Sequence, residues 1–255
     1  MRVTVLGSNA GSPSRANPAS GYMVEAHHRT IWMDAGTGTF MRLAAMMDPA
    51  DLDVVVISHT HVDHCADLLG LFAYLAYGRR DSESILVLAP TGTRDHLASF
   101  ARADEGHVFH DVLEILEIAP GGSVDVDPLS IAFGAAVHPV PALVTRISDG
   151  DSVLVYSGDT GPGGDLIGLA TGASTLLCEA TMQGTRDTET YPYHLTAFEA
   201  GEIAAMAGAH HLVLTHIPFD LDPQMSIDEA GAAYRGPIEY AHHGTTFEIP
   251  RTEQT

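Results

Sequence analysis

The sequence predicts an α/β fold in which apolar strands alternate with amphipathic helices and the polar chemistry collects where strands end. Three observations carry that prediction. Runs such as Val54-Val55-Val56-Ile57, Ile85-Leu86-Val87-Leu88-Ala89 and Leu212-Val213-Leu214 are β-branched or aliphatic throughout, as in strands buried on both faces. Several stretches between such runs repeat apolar residues with a helical period. Strand after strand leads directly into a histidine or an aspartate, at His59, His138, Asp159 and His216. Loops at strand ends are where a rigid scaffold presents functional groups.

Composition narrows the class. The 255 residues are 45% hydrophobic, enough for a large core, and a single domain over residues 1–255 is expected. Ser, Pro and Gly gather only in short loops, no internal repeat is visible, and no stretch approaches the roughly 20 apolar residues of a membrane span. Met1-Arg2-Val3-Thr4-Val5-Leu6-Gly7 reads straight into a strand and lacks the apolar core and cleavage site of a signal peptide. The two cysteines, Cys65 and Cys178, make no disulfide framework. A cytoplasmic location is therefore expected, with no membrane partner. Twelve basic residues, all arginine, stand against 33 acidic ones, for a formal charge of −21. Long polyanions are bound mainly through Lys and Arg contacts to phosphates, so this balance disfavours long nucleic acid as a partner.

Taken in order, residues 3–6 form the first strand and give way to the turn formers Gly7-Ser8-Asn9-Ala10-Gly11-Ser12-Pro13. With no lysine and no helix start behind it, that loop fails as a phosphate-binding loop. Gly21-Tyr22-Met23-Val24-Glu25 and Thr30-Ile31-Trp32-Met33 read as strands around a His27-His28-Arg29 tip, and Asp34-Ala35-Gly36 stops the second. Met41, Leu43, Ala44 and Met47 mark the apolar face of a helix over residues 39–47. The strand at 53–57 then delivers Ser58-His59-Thr60-His61-Val62-Asp63-His64. Leu68, Leu71, Phe72 and Leu75 give the following helix, over 66–75, which puts His64 at a helix N-terminus.

Strand 85–89 leads through Pro90-Thr91-Gly92 into a helix to about residue 103. Residues 112–118 and 129–137 are strands, and the second runs into His138-Pro139-Val140-Pro141. Strand 152–157 ends in Gly158-Asp159-Thr160, where glycine lets the backbone turn sharply. After a short helix near 166–170 and a strand-like run at 175–181 comes His194-Leu195-Thr196. Thr196, with Glu199 three residues on, caps a helix reaching Gly208. Strand 212–215 delivers His216-Ile217-Pro218.

The loop at 59–64 is the most specific feature. Neutral imidazole and carboxylate are the ligands that borderline cations such as zinc take, and this loop offers four, more than one catalytic ion usually takes from protein. Its His-x-His-x-Asp-His pattern resembles the signature loop of the metallo-β-lactamase superfamily. Ser157-Gly158-Asp159-Thr160, Glu179-Ala180-Thr181, His194-Leu195-Thr196 and Leu214-Thr215-His216 are similar to the ribonuclease Z-like and cyclic-nucleotide phosphodiesterase branch of that superfamily. The likeness runs from Gly7 to Pro218.

The resemblance implies an αβ/βα four-layer sandwich with a dinuclear metal site at the strand ends. It implies two divalent ions, zinc by donor preference with manganese as the alternative. His59, His61 and His138 would hold one ion, Asp63, His64 and His216 the other, and Asp159 would bridge them. Asp34 would support the loop through hydrogen bonds. A hydroxide held between the ions would attack the substrate, with Asp63 orienting it, His194 contacting the phosphate or protonating the leaving oxygen, and Glu179 supporting His194.

Ribonuclease Z of the tRNA-processing kind carries a long arm between the residues that match His138 and Asp159. Here little more than residues 146–151 separates two strands in that interval. The missing arm and the acidic composition point to a small phosphodiester substrate, a 3′,5′-cyclic nucleotide. The alternatives are a tRNA 3′-processing endoribonuclease and a lactonase or other carbonyl-directed hydrolase of the same fold. Phe109, Tyr191, Tyr193 and Phe219 are candidates to stack a base. Dimers are frequent in this branch, so a homodimer is compatible with it.

Overall fold

The structure is a computed structural model and describes residues 1–79, 81–104, 106–185 and 192–251. Two sheets of seven strands face one another. The first holds β1 (Arg2–Gly7), β2 (Gly21–Ala26), β3 (Arg29–Met33), β4 (Val54–Val56), β5 (Ile85–Pro90) and β6 (Leu113–Ile118) in that order. The second runs from β7 (Ser123–Val126) through β8 (Leu129–Ala135), β9 (Leu143–Ser148), β10 (Val153–Tyr156), β11 (Thr175–Glu179) and β12 (Leu212–Thr215) to β13 (Ile238–Tyr240). The last strand, β14 (Thr246–Glu248), returns to pair with β1 in the first sheet. Both sheets follow one rule. Each begins with antiparallel pairs and changes to parallel pairing, at β3–β4 in the first and at β10–β11 in the second.

Burial explains the sequence patterns. The inward faces of the two sheets share one core that includes Val3, Val5, Tyr22, Ile131, Phe133, Tyr156, Leu177 and Val213. The outer face of the first sheet is covered by α1 (Thr39–Ala44), α3 (Leu68–Ala73) and α4 (Thr93–Ala101), around Trp32, Leu43, Leu68, Leu71 and Leu97. The outer face of the second is covered by α6 (Leu166–Ala170), α7 (Ala197–Ala207) and α8 (Pro223–Ala233). The four-layer sandwich expected from the resemblance is therefore present. Strands buried between a helix layer and a second sheet have no polar face, which is why β4 reads Val-Val-Val without alternation.

Several expected elements shift. The helix after the metal loop begins earlier: α2 (Val62–Cys65) has His61 as its N-cap, so His64 lies in its last turn rather than at a helix start. The chain then continues as α3 and a π-helical turn at Tyr74–Gly78. α1 ends at Ala44, and Met41 points to solvent, so Leu43 carries that helix's packing with Phe40, which contacts Trp32 and Tyr74. A helical turn, α5 (Phe109–Val112), precedes β6 where the sequence suggested a longer strand. The weakly apolar β7, β13 and β14 and the helix α8 had no strong signal in the sequence. The capping box does form: Thr196 Oγ accepts from Glu199 N, and the Glu199 side chain accepts from Thr196 N.

Candidate metal centre

The strand ends converge at one edge of the sandwich. β4 extends through Ile57 and Ser58 into His59, and three hydrogen bonds from Asp34-Ala35-Gly36 and its neighbours hold the loop that follows: Ala35 N donates to His64 O (2.7 Å), Asp67 N to Ala35 O (2.8 Å) and Ser20 N to Asp63 O (3.1 Å). Gly36 is required here, because a Cβ at this position would lie 2.0 Å from the Asp63 carbonyl oxygen. Asp34 and His216 both sit at left-handed backbone angles, φ 56° and 53°. Such conformations cost of order 1 kcal/mol or more in non-glycine residues and concentrate at functional sites. Gly158 also has positive φ, and a Cβ there would meet Ser58 Cβ at 2.9 Å.

All seven candidate ligands meet. His59, His61, His138 and Asp159 form one group of ligand atoms within 4.8 Å of one another, and Asp63, His64, Asp159 and His216 form a second. Asp159 belongs to both. Glu179, His194 and His216 form a third such group at its side.

Hydrogen bonds fix which nitrogen of each ring faces inward. His64 Nδ1 donates to Asp34 Oδ2 (2.7 Å) and His216 Nδ1 to Thr181 Oγ (2.9 Å). His59 Nδ1 donates to Ser58 Oγ (3.1 Å), whose own proton goes to Asp34 Oδ2 (2.7 Å). His138 Nδ1 points at the Tyr193 carbonyl (3.4 Å). The inward nitrogens then crowd together: His59 Nε2 lies 3.0 Å and His138 Nε2 3.1 Å from His61 Nδ1, and the Nε2 atoms of His64 and His216 are 3.3 Å apart. His59 and His138 turn lone pairs on His61 Nδ1, which has one proton at most to share between them, and the Nε2 atoms of His64 and His216 face each other beside Asp159.

A cation resolves that conflict. Asp159 Oδ1 makes the same point: it is buried with no hydrogen-bond partner, 3.2 Å from His64 Nε2 and 3.4 Å from His216 Nε2. A buried carboxylate oxygen without a donor is costly unless a charge faces it. Nitrogen and carboxylate donors in this arrangement fit a divalent metal of the zinc type.

The electrostatics fall into two kinds. Burial holds the pKa of His59 well below its ordinary value and lowers that of His138 to about 4, so both are neutral ligands at pH 7. For His64, burial also opposes charge, but the carboxylates of Asp159 and Asp34 prevail and raise its pKa. Burial pushes Asp63 and Asp159 upward, and the surrounding histidines overcome it and hold both well below the carboxylate range. For His194, burial is outweighed by the hydrogen bond to Glu179, and its pKa rises to about 9.

His194 and Glu179 form a unit. His194 Nδ1 donates to Glu179 Oε1 (3.0 Å), and Glu179, fully buried, also accepts from Thr160 N (2.8 Å) and the Thr181 hydroxyl (2.6 Å). Thr181 thus links Glu179 to His216, a connection not legible in the sequence, where Thr181 is only the residue two places after Glu179. Tyr156, legible in the sequence only as part of a strand, has a buried hydroxyl that donates to Asp34 Oδ2 (2.7 Å). A cavity of about 280 Å³ opens onto His61, Asp63, Asp159, His194 and His216, with Gly11 on its rim. The Gly11 N–H donates to Asp63 Oδ2 (2.8 Å), which gives the first loop a role in fixing that carboxylate.

The aromatic candidates separate. Phe109 is buried in the outer core against Phe72, ring centroids 5.2 Å apart, and does not reach the cavity. Tyr193 lies with its ring centroid 6.2 Å from that of His138 and is partly exposed, while Phe219 is exposed beyond Pro218. Tyr191 lies outside the described residues.

Comparison with known proteins agrees with the geometry. A family described as beta-lactamase superfamily domain matches residues 29–217. An uncharacterized protein of Mycobacterium tuberculosis is 35% identical over 98% of this chain and 93% of its own length. The crystal structure of the metallo-beta-lactamase fold protein YhfI from Bacillus subtilis superposes with a TM-score of 0.86 at 26% identity, covering 96% of this chain and 98% of that one. A ribonuclease Z of Myxococcus xanthus is 28% identical over 98% of both chains. Two mixed sheets with a histidine and aspartate cluster at their edge, together with these relatives, identify the chain as a metal-dependent hydrolase that belongs to the metallo-β-lactamase superfamily, in its ribonuclease Z-like branch.

Proposed function

We propose that this hydrolase opens a small phosphodiester, a 3′,5′-cyclic nucleotide, at the cavity between His61, Asp63 and His194. The observation that carries the reading is the pairing of His194 with Glu179 across a small cavity from Asp63. It sets a group that keeps its proton opposite one that is ionised, the division of labour that displacement at phosphorus requires.

His59, His61 and His138 with Asp159 would hold one ion, and Asp63, His64 and His216 with the same Asp159 the other; zinc suits the donors, and manganese is the alternative. When bound, the ions supply Lewis acidity, acidifying a water and neutralising phosphoryl oxygens. The chain's own groups do the rest. Asp63, held by the Gly11 N–H, orients the attacking water, whose acidified proton is lost to solvent. As the P–O bond to the leaving oxygen breaks, His194 delivers a proton to that oxygen, and Glu179 holds the imidazole in place. One phosphodiester bond and one water become a phosphomonoester and a hydroxyl.

Surface charge favours a small substrate over a folded RNA. The net charge of −21 repels a polyanion, and β9 and β10 are joined by the tight turn at residues 149–152 rather than by an arm. The ribonuclease Z relative keeps endonucleolytic cleavage of RNA as the second reading. Turnover of metal-loaded protein on cyclic AMP, cyclic GMP and bis(p-nitrophenyl) phosphate, with His59→Ala as the blank, tests the first. Efficient opening of a cyclic nucleotide, little affected by salt, is expected. Cleavage of tRNA precursors that falls steeply with salt would support the endonuclease instead, and turnover of lactones without any diester would remove both.

A further inference from the structure

A second cavity, of about 330 Å³, shares His138 with the ligand cluster. Its walls come from strand ends and the connections beyond them: Pro90 at the end of β5, Pro120 after β6, and Pro139-Val140-Pro141 in the connection between β8 and β9. Among its lining residues His138 alone is titratable, and none carries a fixed charge. Ile118 and Leu143 line it and belong to the core between the sheets, so the cavity opens onto that core.

Three properties define what such a cavity accepts. Prolines have fixed φ and little freedom to lose, so the walls are preformed. An apolar lining without charged groups selects an uncharged, flat or hydrophobic group and rejects phosphate. Continuity with the ligand cluster through His138, whose Nε2 faces His61 at 3.1 Å, means that a molecule with its phosphate at the cluster needs to pass only one imidazole edge to enter. The two cavities thus divide chemically into one for an anion and one for an uncharged ring.

We propose that the proline-walled cavity is the subsite for the nucleobase of the substrate and determines base preference. The proposal rests on the phosphodiester reading above, and it assigns the cavity an occupant that the metal cluster alone does not specify. It also accounts for a site that needs no aromatic sandwich: the described candidates Tyr193 and Phe219 are exposed and line neither cavity, and Phe109 is in the core.

The experiment uses two substitutions and two readouts. Thr91 lines the cavity at an exposed position, so Thr91→Trp narrows the mouth without touching the core; Ala135→Phe fills the interior from the end of β8. Adenosine, which carries no phosphate, is titrated calorimetrically into wild type and both variants, and turnover is compared on cyclic AMP and on the base-free 1-deoxyribose 3′,5′-cyclic phosphate. Expected is measurable adenosine binding that weakens about 10-fold or more in both variants, with a matching loss of preference for cyclic AMP and turnover of the base-free diester unchanged. Unchanged adenosine binding and unchanged preference in Thr91→Trp, whose fold is checked by thermal melting, would overturn the subsite while leaving the phosphodiesterase reading intact. Adenosine binding lost in both variants of a protein that opens no diester would keep the subsite and overturn that reading instead.

Discussion

The two halves of the ligand cluster are built differently. Asp63, His64, Asp159 and His216 are all buried, and their positions are set by partners deeper in the molecule: His64 is held by Asp34, and His216 by Thr181. In the other group, His59 is buried but His61 and His138 are only partly so, and His138 is tethered by a single 3.4 Å contact to a backbone carbonyl. Fixed, dry ligands lose little freedom on binding an ion, whereas partly exposed imidazoles must be ordered by it. The inner group should therefore hold its ion more tightly than the outer one, and a chelator should strip the outer position first.

The strongest way to break that comparison is to remove what the halves share. Asp159→Ala takes the shared carboxylate from both groups, leaving the outer imidazoles with none and the inner pair with Asp63 as its one remaining carboxylate ligand. Activity is expected to fall by about 10³-fold or more, with loss of bound metal from both positions. His138→Ala should empty only the outer position. Metal content of purified variants, measured by mass spectrometry after dialysis, separates these outcomes; two retained equivalents in Asp159→Ala would dissolve the idea of a shared ligand.

The same two halves differ in how far the sequence revealed them. Four members of the cluster lie within one six-residue loop, and a local pattern of that density is legible without any knowledge of the fold. His138, Asp159 and His216 sit alone on separate strand ends, and they join the site only because parallel and antiparallel strands of the second sheet finish at the same edge. Their recurrence after apolar runs gave the signal, and resemblance gave the assignment. What was not legible depends on contacts across the sandwich. Tyr156, read as part of a strand, and Thr181, quoted only as part of the Glu179 motif, are functional through partners far away in the chain, Asp34 and His216. Short edge strands such as β13 and β14 have few buried residues and so little apolar periodicity to read.

A smaller effect should come from the support beneath the inner half. Asp34 accepts from Ser58 N, Ser58 Oγ, His64 Nδ1 and Tyr156 Oη, all at 2.7 Å, and so fixes the loop and His64 directly, and His59 of the outer half only through the Ser58 hydroxyl. Asp34→Asn should weaken metal affinity about 10- to 100-fold, and Tyr156→Phe should weaken it less, because it removes one of the four donors. If the inner group is the tight one because of this support, the loss will fall on the tighter of two binding phases in a competitive titration. Loss confined to the weaker phase would reverse the assignment of the halves.

The gentlest probe sits beside the cluster, at His194. Burial disfavours its charged form, yet Glu179 Oε1 at 3.0 Å and Asp159 Oδ2 at 3.9 Å outweigh that and raise its pKa to about 9. The unfolded value is near 6.5, so in the metal-free protein the imidazolium contributes stability that is complete below about pH 6.5 and disappears as pH rises through about 9. Divalent ions in the adjacent groups work in the opposite direction and draw the value down, toward the pH at which a proton donor both holds and releases its proton. A histidine signal moving near pH 9 in metal-free wild type, lost in His194→Ala and displaced to lower pH in Glu179→Gln, is therefore expected by NMR. In the loaded enzyme the alkaline limb of kcat should lie below 9 and vanish in His194→Ala, with kcat reduced by about 10²-fold or more. A signal near 6.5 in both wild type and Glu179→Gln would mean that the pair does not hold the proton, and would leave the leaving oxygen without a donor from this chain.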